Sequence, residues 1–202
     1  MERRVAPRSG GRQPSPATAR AILDATRELL AQGGVHALTV EGVAALSGVA
    51  KTTIYRRWRS KEELALAVLI DMVEQQAESA RGRGDTRSEL VGFVGRAART
   101  LSSTLMGRVM QGLASDLAAD PALAGAFRER VVGRRVAEVR RVLERGIERG
   151  EIRPDADLDT ASALLFGPLY YRLLFSGEPL DRRFAERVVD AFLASAAPGR
   201  PA

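Results

Sequence analysis

Cysteine is absent from the 202 residues, and histidine occurs once, at His36. Without thiols there is no disulfide framework, no thiolate metal site and no cysteine nucleophile. A single histidine in a connecting loop builds no histidine-rich metal centre, and we assign it no role. No glycine-rich phosphate loop follows a strand-like run. Asp155, Asp157 and Asp159 alternate as calcium-loop ligands do, but the glycine and terminal glutamate of such a loop are missing. They read instead as caps of a helix start. The expectation is a chain that is not an enzyme and carries neither cofactor nor metal. Long apolar runs are lacking too. The longest, Leu64–Ile70 and Ala163–Tyr171, fall far short of the ~20 residues needed to span a bilayer. No apolar run follows the early arginines, so no secretory signal is read and a cytoplasmic location is expected. Period-two alternation of β-branched residues is scarce, which argues against a sheet.

What remains is 45% apolar, enough for a sizeable core, and its charge is unevenly placed. Residues 1–60 hold ten Lys/Arg and four Asp/Glu. The whole chain holds 31 and 25, so residues 61–202 are neutral overall. A basic head joined to a neutral body is the asymmetry of a nucleic-acid module with a partner domain.

The stretch Thr39 to Leu64, TVEGVAALSGVAKTTIYRRWRSKEEL, gives that head its form. Val40, Val43, Ala44 and Leu46 fall on helical spacing. Ser47-Gly48-Val49 breaks the run, and Gly48 supplies the positive φ that a tight turn between helices needs. The spacing predicts a second helix from Lys51 to Trp58, with Val49, Ile54 and Trp58 inward and Lys51, Thr52, Thr53, Tyr55, Arg56 and Arg57 outward. Such a face both neutralises phosphates and donates to base edges, as a helix in the DNA major groove must.

The run Gly48-Val49-Ala50-Lys51-Thr52-Thr53-Ile54-Tyr55, then Trp58, then Ser60-Lys61-Glu62-Glu63-Leu64, resembles the helix-turn-helix of TetR-family transcriptional regulators. The resemblance covers about residues 18–66. Ser47, Ala50 and Arg59 depart from the family pattern without breaking the turn. The resemblance implies an all-α fold: a three-helix head and a larger C-terminal bundle, about nine helices in all. It implies a DNA-binding regulator, a repressor released from its operator by a small-molecule effector. A ligand-independent architectural DNA binder or an activator is the alternative.

Residues 1–16 read as a basic arm, either a minor-groove contact or a solubilising tail. The head is then 17–64, and the ligand-binding and dimerisation body 65–202. In the head, helix 1 carries Ile22, Ala25, Thr26, Leu29 and Leu30 inward and ends at Gly33-Gly34. Thr39 caps helix 2. Ser60 and Glu63 form a capping box for helix 4, apolar on two sides and expected to reach about Ala80. In the body, Thr86 and Glu89 read as a second capping box. Gly107 reads as the next break, and Asp120-Pro121 as a helix start. Val132, Val136, Val139 and Leu143 read as the stripe of a long helix stopped at Gly150. Gly167-Pro168 should kink the apolar helix that follows.

Arg56 and Thr52, with Arg57 as a third, are expected to read bases. Lys51, Thr53, Tyr55, Lys61 and Thr39 are expected to hold phosphates. In the family, the positions of Thr53, Tyr55 and Lys61 commonly touch the backbone. Phe93, Leu101, Met106, Met110, Leu113, Phe127, Phe166 and Tyr170 read either as a ligand pocket or as plain core, with Arg99, Asp116, Tyr171 and Arg172 as polar anchors. The phrases Gly150-Glu151-Ile152-Arg153 and Gly167-Pro168-Leu169-Tyr170-Tyr171-Arg172 are similar to those of one TetR-type subgroup whose last two helices dimerise. That places Leu165, Leu169, Leu173, Phe184, Val188 and Phe192 at a homodimer interface. A dimer would present two reading helices to a near-palindromic double-stranded operator.

Overall fold

The structure, a computed structural model, describes residues 15–77, 84–102 and 104–197. The predicted arm lies outside the described residues apart from Ser15 and Pro16, and so does the predicted end of helix 4 beyond Ala77. The described residues form helices and no strand. These are α1 (Pro16–Ala37), α2 (Val40–Ser47), α3 (Lys51–Tyr55), α4 (Lys61–Ala77), α5 (Thr86–Ser102), α6 (Thr104–Ala119), α7 (Pro121–Phe127), α8 (Gly133–Glu148), α9 (Leu158–Tyr171) and α10 (Arg182–Ala196). A π-turn over Arg128–Val132 joins α7 to α8, and another, Arg172–Ser176, extends α9.

Local chemistry sets most of these ends. Ser15 caps α1, accepting from the Thr18 amide, with Pro16 in the first turn. The regular helix of α1 breaks at Gly34, at φ 68° and ψ −166°. Thr39 accepts from the Gly42 amide at 3.0 Å and starts α2. Gly48 then takes the left-handed conformation (φ 68°) that lets α3 leave at an angle. Ser60 accepts from the Glu63 amide, while the Glu63 carboxylate reaches the Arg59 amide, one residue earlier than a regular capping box. Asp120 and Asp157 cap α7 and α9.

Several expectations shift by a residue or more. Leu46 is not inward; it stands about half exposed at the end of α2. α3 stops at Tyr55, and Arg56 and Arg57 form the turn leading to buried Trp58. The cap of α5 is Asp85, not Thr86, because Asp85 Oδ1 takes the Ser88 amide at 2.7 Å. Thr86 is buried, and Glu89 faces Arg145 and Arg149 instead of its own helix start. Gly107 does not break a helix. It lies inside α6, where an added Cβ would sit 2.5 Å from the Leu101 carbonyl oxygen. Val131, not Val132, is the buried valine, since the π-turn inserts an extra residue and rotates the stripe that follows. Pro168 lies within α9, and the irregularity comes four residues later, as the second π-turn.

α4 is the helix shared by head and body. Leu64, Ala65, Leu66, Val68, Leu69 and Ile70 are all buried, and it packs on α1, α6 and α7. Asp71 of α4 also takes Arg27 of α1 at 2.5 Å.

The polar lock of the body sits at the turn after α8. Glu151 accepts from the Arg149 guanidinium at 2.9 Å and from the Thr86 amide at 2.7 Å. The Arg149 contact first, then Thr86, draws its carboxyl from the usual 4.5 to about 2. A carboxyl depressed in the folded state stabilises it above the unfolded value, and that contribution is lost as pH falls through the folded one. Glu151→Gln should therefore flatten the fall of the melting temperature between pH 4.5 and about 2, measured by circular dichroism. An unchanged slope would remove Glu151 from the acid response.

Candidate nucleic-acid interface

The outward surface of the head is built on α3. Ile54 is fully buried and Trp58 is 7% exposed, so the helix is pinned from behind. Lys51, Thr52, Tyr55, Arg56 and Arg57 are exposed on the other side, and Thr53 is half-buried. Thr39, at the start of α2, is exposed as well. Its oxygen holds the Gly42 amide, which leaves its hydroxyl proton to donate.

The cations are not equivalent. The Lys51 ammonium is paired with Glu41 of α2 at 2.9 Å, and both side chains are more than half exposed. The hydrogen bond between them raises the Lys51 pKa and lowers that of Glu41. The Arg57 guanidinium lies 5.0 Å from the Trp58 ring centroid, a cation–π contact that parks it against the head. Lys61 donates to the Val35 carbonyl at 3.3 Å, tying the start of α4 to the end of α1. Arg56 makes no ion pair among the described residues and is exposed. A planar five-donor group with that freedom suits bidentate contact with guanine.

Comparison with known proteins places this geometry. A profile of bacterial regulatory proteins of the tetR family matches residues 22–68, and one of the tetracyclin repressor-like C-terminal domain matches residues 80–192. The chain belongs to the TetR family. It is 33% identical over 186 residues to the HTH-type transcriptional regulator YdeS of Bacillus subtilis, covering 90% of this chain and 91% of that one. It is 30% identical over 176 residues to the DNA-binding transcriptional repressor TetR of Mycobacteroides abscessus, covering 86% and 90%. The crystal structure of the TetR family transcription regulator SCO0332 superposes with a TM-score of 0.75 at 34% identity, covering 90% and 99%. This TetR-family chain is accordingly a DNA-binding transcriptional regulator. Among the described residues no helix is long and apolar enough to cross a membrane.

The body of this regulator arranges the remaining candidates in three groups. Leu101, Met106, Met110 and Leu113 are buried along α5 and α6. Phe93 meets Phe166 edge-on at 5.3 Å, and Arg135 stacks over Phe166 and bonds the Tyr170 hydroxyl, an aromatic–guanidinium cluster joining α5, α8 and α9. Phe127 is half-buried on α7. Of the polar anchors, Arg172 faces a cleft of about 300 Å³ that Leu101 also lines. Tyr171 is 61% exposed, Arg99 is exposed and Asp116 is half-buried.

Among the residues read as an interface, Leu165 and Leu169 are fully buried in the chain's own core. The outer face of α9 shows Leu164, Tyr171 and, in the π-turn, Phe175, at 51%, 61% and 78% exposure. A groove of about 690 Å³ runs between α9 and α10, bordered by Leu164, Pro168, Phe184, Val188 and Phe192. Leu173 is half-buried nearer the smaller cleft.

The residue that the sequence reading missed is Glu41. It lies ten residues from Lys51, and a search for basic side chains passes over a carboxylate. Breaking the pair should free one cation for phosphate. Glu41→Gln is expected to tighten binding to random duplex and to steepen the log K–log salt slope by about 0.9, one more phosphate neutralised. Fluorescence anisotropy across a salt series reads this, and an unaltered slope would show that Lys51 already leaves Glu41 on DNA.

Proposed function

We propose that this regulator is a homodimeric repressor acting on a near-palindromic operator in the cytoplasm, and that a small molecule bound in its body releases it. The head is taken as 17–64 and the body as 65–202, with 1–16 as a basic arm. The observation that carries the reading is α3: its back is locked by Ile54 and Trp58, so its cations and hydroxyls have one direction to point. Arg56 and Thr52 are assigned to base edges. Lys51, Thr53, Tyr55, Thr39 and Lys61 are assigned to phosphates, with Arg57 a third reader only if it leaves Trp58. Two copies would set two α3 helices about 34–36 Å apart, one turn of duplex. The repressor role named for the Mycobacteroides abscessus relative supports the sense of regulation.

Arg56→Ala should cost about 1–3 kcal/mol in binding to the operator, with a smaller loss on random duplex. Anisotropy titrations of a promoter fragment with and without bulk competitor DNA measure both. Equal losses on the two DNAs would reduce Arg56 to a phosphate contact and favour the architectural alternative.

Dimerisation is assigned to the outer faces of α9 and α10. Phe184, Val188 and Phe192 border the groove there, and Leu164, Tyr171 and Phe175 offer the exposed apolar surface. Burying such a surface in an isologous contact closes the assembly at two copies. Leu164→Asp places a charge on that face without entering the core. The expected outcome is a dimer-to-monomer shift in light scattering after gel filtration, with helical content kept. A wild-type monomer, or an intact Leu164→Asp dimer, would refute the assignment.

A further inference from the structure

A carboxylate stands among the cations and hydroxyls of the head's outward surface. Glu41 lies in the first turn of α2, and its side chain is 64% exposed. The residue one turn along the same face, Ala45, is exposed and too short to cover it. The carboxylate accepts from the Lys51 ammonium at 2.9 Å, and Lys51 is the first residue of α3. The ion pair therefore brings a carboxylate of one helix to the N-terminal end of the next. From that end a recognition helix reaches base edges.

On most DNA this placement is unfavourable. A carboxylate only accepts hydrogen bonds. Phosphate oxygens repel it, and guanine and thymine face the major groove with acceptors, N7 and O6 or O4. Adenine offers an amino group, but beside its own N7 acceptor. Cytosine offers its N4 amino group with no acceptor of its own on that edge. A cytosine facing Glu41 thus replaces repulsion by a charge-assisted hydrogen bond, roughly twice as strong as a neutral one. Lys51 prepares this contact. Its ammonium has three donors, so one holds Glu41 while the others remain for phosphate. The pair fixes the direction of a long side chain before DNA arrives, which lowers the ordering cost of binding.

We propose that Glu41 is a specificity-determining residue of this regulator: positioned by Lys51, its carboxylate selects a cytosine in each half of the operator. This rests on the reading of α3 as the groove helix, and goes beyond it by assigning a base and an acceptor to α2. On random duplex Glu41 weakens binding, and at cytosine the new hydrogen bond offsets that loss.

Selection from a random-sequence duplex library, followed by sequencing, reads this without knowledge of the operator. The wild-type chain should enrich a two-fold symmetric motif with a cytosine at one position of each half. Glu41→Gln should keep the rest of the motif and change that cytosine to adenine, because glutamine bonds N6 and N7 together. A changed preference is a gain that misfolding does not produce. Glu41→Ala should select all four bases nearly equally there. In competition anisotropy on the selected duplex, the wild type should prefer cytosine to adenine at that position by at least about fivefold, and Glu41→Gln should reverse the order. Glu144→Gln, the same charge change at an exposed position of α8, should select the wild-type motif. Wild-type preferences kept in both Glu41 variants, or a Glu41-dependent position occupied by a base other than cytosine, would overturn the assignment. So would loss of the whole motif in both variants with helical content kept, since the ion pair would then be a brace of the head. A wild type that enriches no motif is a separate outcome: it would overturn the operator reading itself, and this assignment with it.

Discussion

A helix of five residues does not stand by itself. It completes too few hydrogen bonds to repay the ordering of its first turn. α3 exists because Ile54 and Trp58 are driven into the head while Gly48 and Ser60 fix where the chain enters and leaves. That anchoring decides the function. With the apolar side committed, Lys51, Thr52, Tyr55 and Arg56 have only the outward face, the face proposed above to meet DNA. Loosening the anchor would scatter those donors over several rotamers and orientations, and sequence reading would be lost before affinity for phosphate.

The anchoring has to be transmitted to the body, and α1, α4 and α6 share the task. α4 buries Leu64, Ala65, Leu66, Val68, Leu69 and Ile70 and leaves Glu74 and Gln75 to solvent. Polar ties cross the same junction: Arg27 to Asp71, Lys61 to Val35, Arg108 to Ala31. Two of the three end on backbone carbonyls in the last turns of α1. Lys61 adds a second donor to the Val35 carbonyl, which the Leu38 amide also reaches at 3.3 Å. The head is therefore attached through directional bonds over an apolar contact, a combination that tolerates a small rotation more readily than an interdigitated core does.

Where the sequence carried its own stereochemistry, structure followed it. Gly48 requires a positive φ only if a turn is there, and Thr39, Ser60, Asp120 and Asp157 are oxygen acceptors placed just ahead of amphipathic runs. The family resemblance from Gly48 to Leu64 adds an order to the same residues. The reading faltered where two neighbouring residues offered equal chemistry. Asp85 and Thr86 both cap helices, and only the tertiary partner Glu151, which claims the Thr86 amide, separates them. It faltered again at the two π-turns. An inserted residue leaves composition unchanged yet rotates everything beyond it, which is why Val131 rather than Val132 is buried. α9 was the hardest case. A helix apolar all round contains no information about which side meets its own chain, and the structure spends Leu165 and Leu169 on the core while leaving Leu164, Tyr171 and Phe175 outside.

The distribution of ion pairs gives the positive charge its meaning. Many of the body's arginines are matched: Arg87 with Asp190, Arg130 with Glu74, Arg140 with Asp159, Arg145 and Arg149 with Glu89, Arg172 with Glu178. These pairs are mostly exposed and each adds little to stability. With equal numbers of acidic and basic residues in 61–202, they leave the net positive charge of the chain in residues 1–60. Even there the compensation is graded. Lys51 is held by Glu41 and Arg57 by Trp58, while Arg56 stands without an ionic partner among the described residues. A surface with every cation free would bind any phosphate backbone strongly and discriminate poorly, because counterion release is blind to sequence. Restraining two of the three nearest cations lowers that blind component. In the proposed reading it shifts the balance of affinity toward Arg56 at a base edge.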